Sequence, residues 1–130
     1  MFSTNADRAT VLLVDDDDLV RAFCRLSLER DGYRILEADS GMEALLITMQ
    51  WKGAIDLVIT DLAMPSINGA ELGRALKELW PDLHVVYMSG SPDSVIAREL
   101  PAGTQILPKP FAMDDLLNAV ERRIPLFAEA

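Results

Sequence analysis

The sequence alternates short, unbroken apolar runs with longer stretches of helical spacing, and it does so five times. Few folds admit that alternation. A strand that is apolar at every position is buried on both faces, as in parallel sheets, and parallel neighbours need crossover helices that cover those faces. Val11-Leu12-Leu13-Val14 is the first run, and four consecutive aspartates, Asp15 to Asp18, end it. Val20, Phe23, Cys24 and Leu28 then recur at helical spacing up to Asp31-Gly32, where Gly suits a left-handed helix end. Tyr33-Arg34-Ile35-Leu36-Glu37 predicts a weaker second strand. Ser40-Gly41-Met42-Glu43 predicts a capping box in which Ser40 and Glu43 satisfy each other's orphan amides. The second helix is expected to present Met42, Leu45, Leu46 and Met49 on one face.

Ile55-Asp56-Leu57-Val58-Ile59-Thr60 predicts the third strand, ended by Asp61, and Met64-Pro65-Ser66-Ile67-Asn68-Gly69 must be a loop because its Pro and Gly stop either regular element. A third helix takes Leu72, Leu76 and Leu79 inward and stops before Pro81. Leu83-His84-Val85-Val86-Tyr87-Met88 is the fourth strand, ended by Ser89-Gly90, and a short helical segment follows from about Asp93 to Leu100, closed by Pro101 and Gly103. Thr104-Gln105-Ile106-Leu107 predicts the fifth strand and Pro108-Lys109-Pro110-Phe111 its exit loop. Met113, Leu116, Leu117, Val120 and Ile124 line a final helix. The fold class is α/β: five βα units in one domain over residues 10–124, with loosely held tails at 1–9 and 125–130. A chain of 130 residues leaves no room for a second full domain.

Charge and cysteine usage exclude several functions. Lys plus Arg number 12 against 21 Asp plus Glu, a net charge of −9, so no basic stripe awaits a nucleic-acid backbone. Cys24 is the single cysteine, which rules out an internal disulfide or a cysteine-based zinc site and points to a reducing cytoplasm. No apolar run is long enough for a signal peptide or a membrane span.

The polar residues that remain fall where strands end. Asp15 and Asp16 follow the first strand, Asp61 the third, Ser89 the fourth and Lys109 the fifth. In a parallel sheet these positions gather along the carboxyl edge, where open α/β folds bind ligands. If the first and third strands are neighbours, three carboxylates crowd together, at a cost in free energy unless a cation intervenes; hard oxygen donors of this kind suit Mg²⁺. Asp17 and Asp18 are better read as caps of the first helix, favouring its positive N-terminal end. His84 belongs at the start of the fourth strand, away from the acids, and takes no catalytic role. Trp51 and Trp80 read as packing, and Met42, Met49, Met88 and Met113 as core.

The chain resembles a two-component response-regulator receiver domain over roughly residues 10 to 124. Val11-Leu12-Leu13-Val14-Asp15-Asp16 matches the strand and acid pair, Asp61-Leu62-Ala63-Met64-Pro65 with Gly69 matches the phosphoacceptor loop, and Ser89-Gly90 and Lys109-Pro110-Phe111 match the remaining motifs. The phrase Tyr87-Met88-Ser89-Gly90 is similar to receivers of hybrid histidine kinases, so the domain is expected either to stand alone or to come from such a kinase. The resemblance implies a flavodoxin-like three-layer sandwich with strand order 2-1-3-4-5. It implies that Asp61 accepts a phosphoryl group from the phosphohistidine of a sensor or hybrid kinase or a histidine phosphotransfer protein. Asp16, Asp61 and the Ala63 carbonyl would then hold Mg²⁺, with Asp15 assisting through water. Lys109 and the metal neutralise charge on the transferred group, and Ser89 with the Gly90 amide donates to it, drawing the loop after the fourth strand inward. The bond after Lys109 is usually cis in the family.

Further expectations concern how the signal leaves and decays. Ala63 and Ser91 flank the path of the hydrolytic water, and neither carries a carboxylate or amide to orient it. Ile106 stands where many receivers have a Tyr or Phe, so it cannot report on Ser89 by a large change in exposure. Phosphorylation is therefore expected to order or shift residues 90–103, with a downstream protein reading residues 90–124. Two rival readings weigh less. A haloacid-dehalogenase-type phosphatase finds its Asp-x-Asp in Asp15-Asp16-Asp17, but leaves the Asp61 motif unexplained and needs a later acid pair where Asp114-Asp115 begin a helix. A receiver-like scaffold that is never phosphorylated would not need the full set of site residues. An EF-hand loop fails because its required Gly falls at Val20.

Overall fold

The computed structural model describes residues 9–124 except Gly53. Its elements run β1 (Thr10–Val14), α1 (Asp18–Arg30), β2 (Arg34–Ala38), α2 (Gly41–Trp51), β3 (Leu57–Asp61), α3 (Gly69–Leu79), β4 (His84–Ser89), α4 (Val95–Arg98), β5 (Ile106–Pro108) and α5 (Met113–Arg123). All strands pair in parallel, in the order β2-β1-β3-β4-β5. The class and strand order are those the sequence and its resemblance predict. The predicted tails lie outside the described residues except for Ala9, whose carbonyl accepts from the Arg34 amide.

Alternate residues of the central strands feed opposite faces, since side chains along a strand point up and down in turn. Val11 and Leu13 of β1, with Leu57 and Ile59 of β3, pack against Leu28 of α1 and Leu116 and Val120 of α5. Leu12 and Val14, with Val58, pack on the other face against Ala44 of α2 and Leu72 and Leu76 of α3. Every residue of β1 and β3 is buried, which accounts for their unbroken apolar runs. A third, smaller cluster joins Leu62, Ala70, Tyr87 and Ala97 beneath α4.

Helix faces depart from the reading of spacing. In α2 the inward residues are Gly41, Ala44 and Thr48, whereas Met42, Leu46 and Met49 stand about half exposed. At Gly41 a Cβ would meet Ile67 Cβ at 2.9 Å, so the start of the helix lies close against the loop that precedes α3. Leu79 of α3 and Phe23 of α1 are also half exposed, and of the four methionines read as core only Met88 is fully buried. The capping box is displaced too. Ser40 Oγ accepts from the Glu43 amide, but the Glu43 carboxylate accepts from Asp39 rather than Ser40. Gly32 takes the predicted left-handed conformation, with φ 98°. Strand boundaries shift by one or two residues, so that Asp61 and Ser89 are the last residues of their strands. Among the described residues no helix is long and apolar enough to cross a membrane.

Candidate functional site

β1 and β3 are neighbours, with Val14 opposite Thr60, and this register brings the acids that follow Val14 beside Asp61. One carboxylate oxygen from each of Asp15, Asp16 and Asp61 lies within 4.8 Å of the other two. Asp15 and Asp61 are buried, while Asp16 is exposed. The fifth strand supplies the counter-charge: Lys109 Nζ donates to Asp15 Oδ2 at 2.9 Å and lies 3.3 Å from Asp61 Oδ1. Ser89 comes to the same edge from β4, and its carbonyl accepts from the Lys109 amide at 2.8 Å. The sequence-predicted residues Asp15, Asp16, Asp61, Ser89 and Lys109 thus converge on one sheet edge.

Local chemistry fixes each group. The second oxygen of Asp15 accepts from the Asp17 amide at 2.8 Å, and Arg21 holds the Asp15 carbonyl at 2.7 Å while bridging Asp18 and Glu37. Asp17 caps α1 as predicted, accepting from the Leu19 and Val20 amides, which leaves it outside the acid cluster. The loop after Asp61 closes on itself: Gly69 N–H donates to the Leu62 carbonyl, and a Cβ at Gly69 would overlap the Asp61 carbonyl oxygen. Only Gly allows this approach. The Ala63 amide hydrogen-bonds to the Asp61 carboxylate, and the Lys109–Pro110 peptide bond is cis. Ser89 Oγ accepts from the Ser91 amide at 2.9 Å. His84 opens β4 beside Leu57, at the opposite end of the strands from the acids, as expected.

Electrostatics show a site short of positive charge. Burial, then the neighbouring Asp15 charge, push the Asp61 carboxyl above its ordinary value, although Lys109 and the Ala63 amide act the other way. Burial works to lower the Lys109 ammonium, but its hydrogen bond to Asp15 and the charges of Asp15 and Asp61 win, so it is raised and stays protonated. One ammonium faces three carboxylates. Hard oxygen donors at this spacing, partly buried and open on the Asp16 side, form a donor set that fits a divalent cation retaining several waters.

Two features escaped the sequence reading. Arg21 looks like an ordinary helix-surface charge until its three contacts are seen. Beside the acids, Leu19, Val20, Phe23 and Phe111 wall an apolar hollow of about 510 Å³ that reaches Lys109 and Pro110. Leu19 is 82% exposed, and the Phe23 and Phe111 rings lie 6.1 Å apart. An inward reading of Phe23 hid this rim.

The comparisons with known proteins agree with this geometry. Residues 11–121 match the family model described as response regulator receiver domain. The chain is 40% identical over 118 residues to the sensor kinase CckA of Brucella abortus, covering 89% of this chain but 12% of that protein. It is 32% identical to the response regulator receiver protein CpdR of the same organism, covering 88% of this chain and 95% of that one. The crystal structure of the receiver domain from the hybrid histidine kinase CckA superposes with a TM-score of 0.75 at 34% identity, over 88% of this chain and 97% of that one. With five parallel strands in receiver order and an acid cluster at their carboxyl edge, the chain belongs to the response regulator receiver family of two-component signalling.

Proposed function

We propose that Asp61 is the phosphoacceptor of this receiver and that Mg²⁺ is its cofactor. The observation that carries the reading is a buried carboxylate beside two further acids, with an ammonium 3.3 Å away. An Asp61 oxygen attacks the phosphorus of a phosphohistidine; the P–N bond breaks, the electron pair leaves with the imidazole, and an acyl phosphate forms. The reaction asks chiefly for position and for neutralisation of charge on the transferred oxygens. Lys109 supplies a fixed positive charge, held toward the site by Asp15. Asp16, Asp61 and the Ala63 carbonyl would hold the metal, with Asp15 assisting through water, and the metal when bound offsets the negative charge of acids and phosphoryl oxygens alike.

Ser89 Oγ is engaged by the Ser91 amide, and rotating that hydroxyl toward an acyl phosphate, together with the Gly90 amide, would release Ser91 and shift the segment from 90 to 103. Output through residues 90–124 is the protein-interaction function of a signalling domain whose only chemistry is its own phosphorylation and dephosphorylation. The apolar hollow beside Lys109 gives a kinase or histidine phosphotransfer protein a surface to seat against.

The test is incubation with Mg²⁺ and either acetyl phosphate or a phosphorylated histidine donor, then borohydride trapping and mass spectrometry. Label at Asp61 alone is expected; undiminished labelling of Asp61→Asn would overturn the assignment.

A further inference from the structure

The polar atoms of Asp15 are all engaged, and those of its neighbour Asp16 are not. The Asp15 amide donates to the Ala38 carbonyl at 3.2 Å, Oδ1 accepts from the Asp17 amide at 2.8 Å, and Oδ2 accepts from Lys109 Nζ at 2.9 Å. Its carbonyl oxygen accepts from Arg21 Nη1 at 2.7 Å. Asp16 is exposed, and among the described residues its amide and its carboxylate make no hydrogen bond or ion pair. A side chain with no bond of its own takes its position from its backbone. For Asp16 that backbone is the peptide joining it to Asp15, and Arg21 holds the oxygen of that peptide.

Arg21 is the fourth residue of α1, and long helical side chains lean back toward the helix N-terminus, here toward the acid loop. A cation so near that end opposes the helix dipole. Two acids secure it there instead. Nη2 donates to Asp18 Oδ1 at 2.8 Å and Nε to Glu37 Oε1 at 3.0 Å, so each guanidinium nitrogen has its own acceptor. Glu37 stands on β2 opposite Leu13, two residues before Asp15, and its second oxygen lies 3.0 Å from Arg25 Nε. The Arg21 side chain is only 16% exposed. A planar fork held at three points fixes an acceptor in a way that a single ammonium does not.

We propose that Arg21 is a positioning residue of the site: by clamping the peptide between Asp15 and Asp16, it sets the Asp16 carboxylate where a divalent cation can be shared with Asp61. The inference rests on the reading of Asp61 as phosphoacceptor and of Mg²⁺ as cofactor. None of the three Arg21 contacts is to the carboxylate of Asp15, Asp16 or Asp61, so it acts through the backbone. Charge and position then predict opposite signs. As a charge, Arg21 repels a divalent cation, and its removal should tighten binding. As a clamp, its removal frees Asp16, which the metal must then order at a cost in conformational entropy, and binding should weaken.

The experiment compares the full chain with Arg21→Met and Arg21→Lys. It measures Mg²⁺ affinity by calorimetry, amide hydrogen exchange in chelator, and the initial rate of labelling by acetyl phosphate as Mg²⁺ is raised. Arg21→Met keeps the stem and loses the charge, whereas Arg21→Lys keeps the charge and loses the fork. Both are expected to weaken Mg²⁺ binding on the order of tenfold, as loss of a partner behind a metal ligand does. In chelator the Asp17 amide should exchange faster while the Ile59 amide, inside β3, is unchanged. Labelling should need on the order of tenfold more Mg²⁺ and reach the wild-type rate at saturation, because the loss is of metal binding and not of the transfer step. If Arg21→Met does not fold, Arg21→Lys decides alone. Affinity unchanged in Arg21→Lys, affinity raised in Arg21→Met, or a lowered rate at saturating Mg²⁺ with an unshifted midpoint would each overturn the proposal. A wild type that binds no Mg²⁺ would overturn the cofactor reading and this one with it. Wild-type binding without label at Asp61 would overturn the phosphoacceptor reading alone, and the affinities would still judge Arg21.

Discussion

Replacing Asp61 by Asn should make the metal-free protein more stable, an unusual result for a buried polar side chain. At an effective dielectric constant near 20, carboxylate oxygens within 4.8 Å of each other repel by at least about 3.5 kcal/mol, and Lys109 at 3.3 Å attracts Asp61 by about 5 kcal/mol. Asp61 faces both Asp15 and Asp16, the latter exposed and partly screened, so repulsion and attraction nearly cancel and the burial of the charge decides the sign. The Asn variant is expected to gain on the order of 1–2 kcal/mol, or roughly 3–8 °C in Tm. Lys109 keeps its 2.9 Å bond to Asp15 throughout.

The pH dependence follows from the direction of the shift. A carboxyl whose folded pKa is raised favours the fold when neutral, a contribution fully present below its unfolded value and lost as pH rises through the folded one. The advantage of Asn should therefore be complete at neutral pH and vanish in acid. Thermal melts followed by circular dichroism, in chelator from pH 3 to pH 8, measure it. Mg²⁺ at a hundredfold its dissociation constant should then add about 2.7 kcal/mol to the wild type alone and reverse the ranking. A lower Tm for Asp61→Asn in chelator at pH 7, or a gain undiminished in acid, would refute the reasoning.

Three further outcomes are expected. Burial and the nearby Asp15 charge push the Cys24 thiol up to about 12, so maleimide at pH 8 should leave it unlabelled until denaturant is added. Gly69→Ala drives a Cβ into the Asp61 backbone and should cost about 1–3 kcal/mol in urea unfolding together with phosphorylation, whereas Gly90→Ala, with nothing within 4 Å, should stay within about 0.5 kcal/mol. Paired Ala63→Asn and Ser91→Glu substitutions should speed loss of the phosphoryl group by giving the hydrolytic water an amide and a carboxylate to orient on; an unchanged half-life would remove that explanation.

Residues at strand ends were legible because an apolar run that stops at an acid, a serine or a lysine marks both the end of a strand and the side of the sheet. Asp15, Asp61, Ser89 and Lys109 needed only the parallel order to be brought together, and that order came with the family resemblance. Helix faces were harder to read. α2 carries Met42, Leu45, Leu46, Ile47 and Met49 on several sides, so periodicity alone cannot say which face turns in. The answer lay in Gly41, Ala44 and Thr48, the small residues that take the inward face, with Gly41 close against Ile67 of the loop before α3. Phe23 illustrates the converse: an apolar residue beside a site is left half in solvent, and spacing read as core conceals it.

The bond from Lys109 to Asp15 joins residues 94 apart in sequence. The first βα unit supplies the acids and the last supplies the ammonium, so a chain truncated or stalled before its fifth strand has docked has carboxylates without their neutralising partner. On the proposed reading, only a chain whose fifth strand has docked sets its ammonium beside the phosphoacceptor, so phosphorylation competence requires the complete fold.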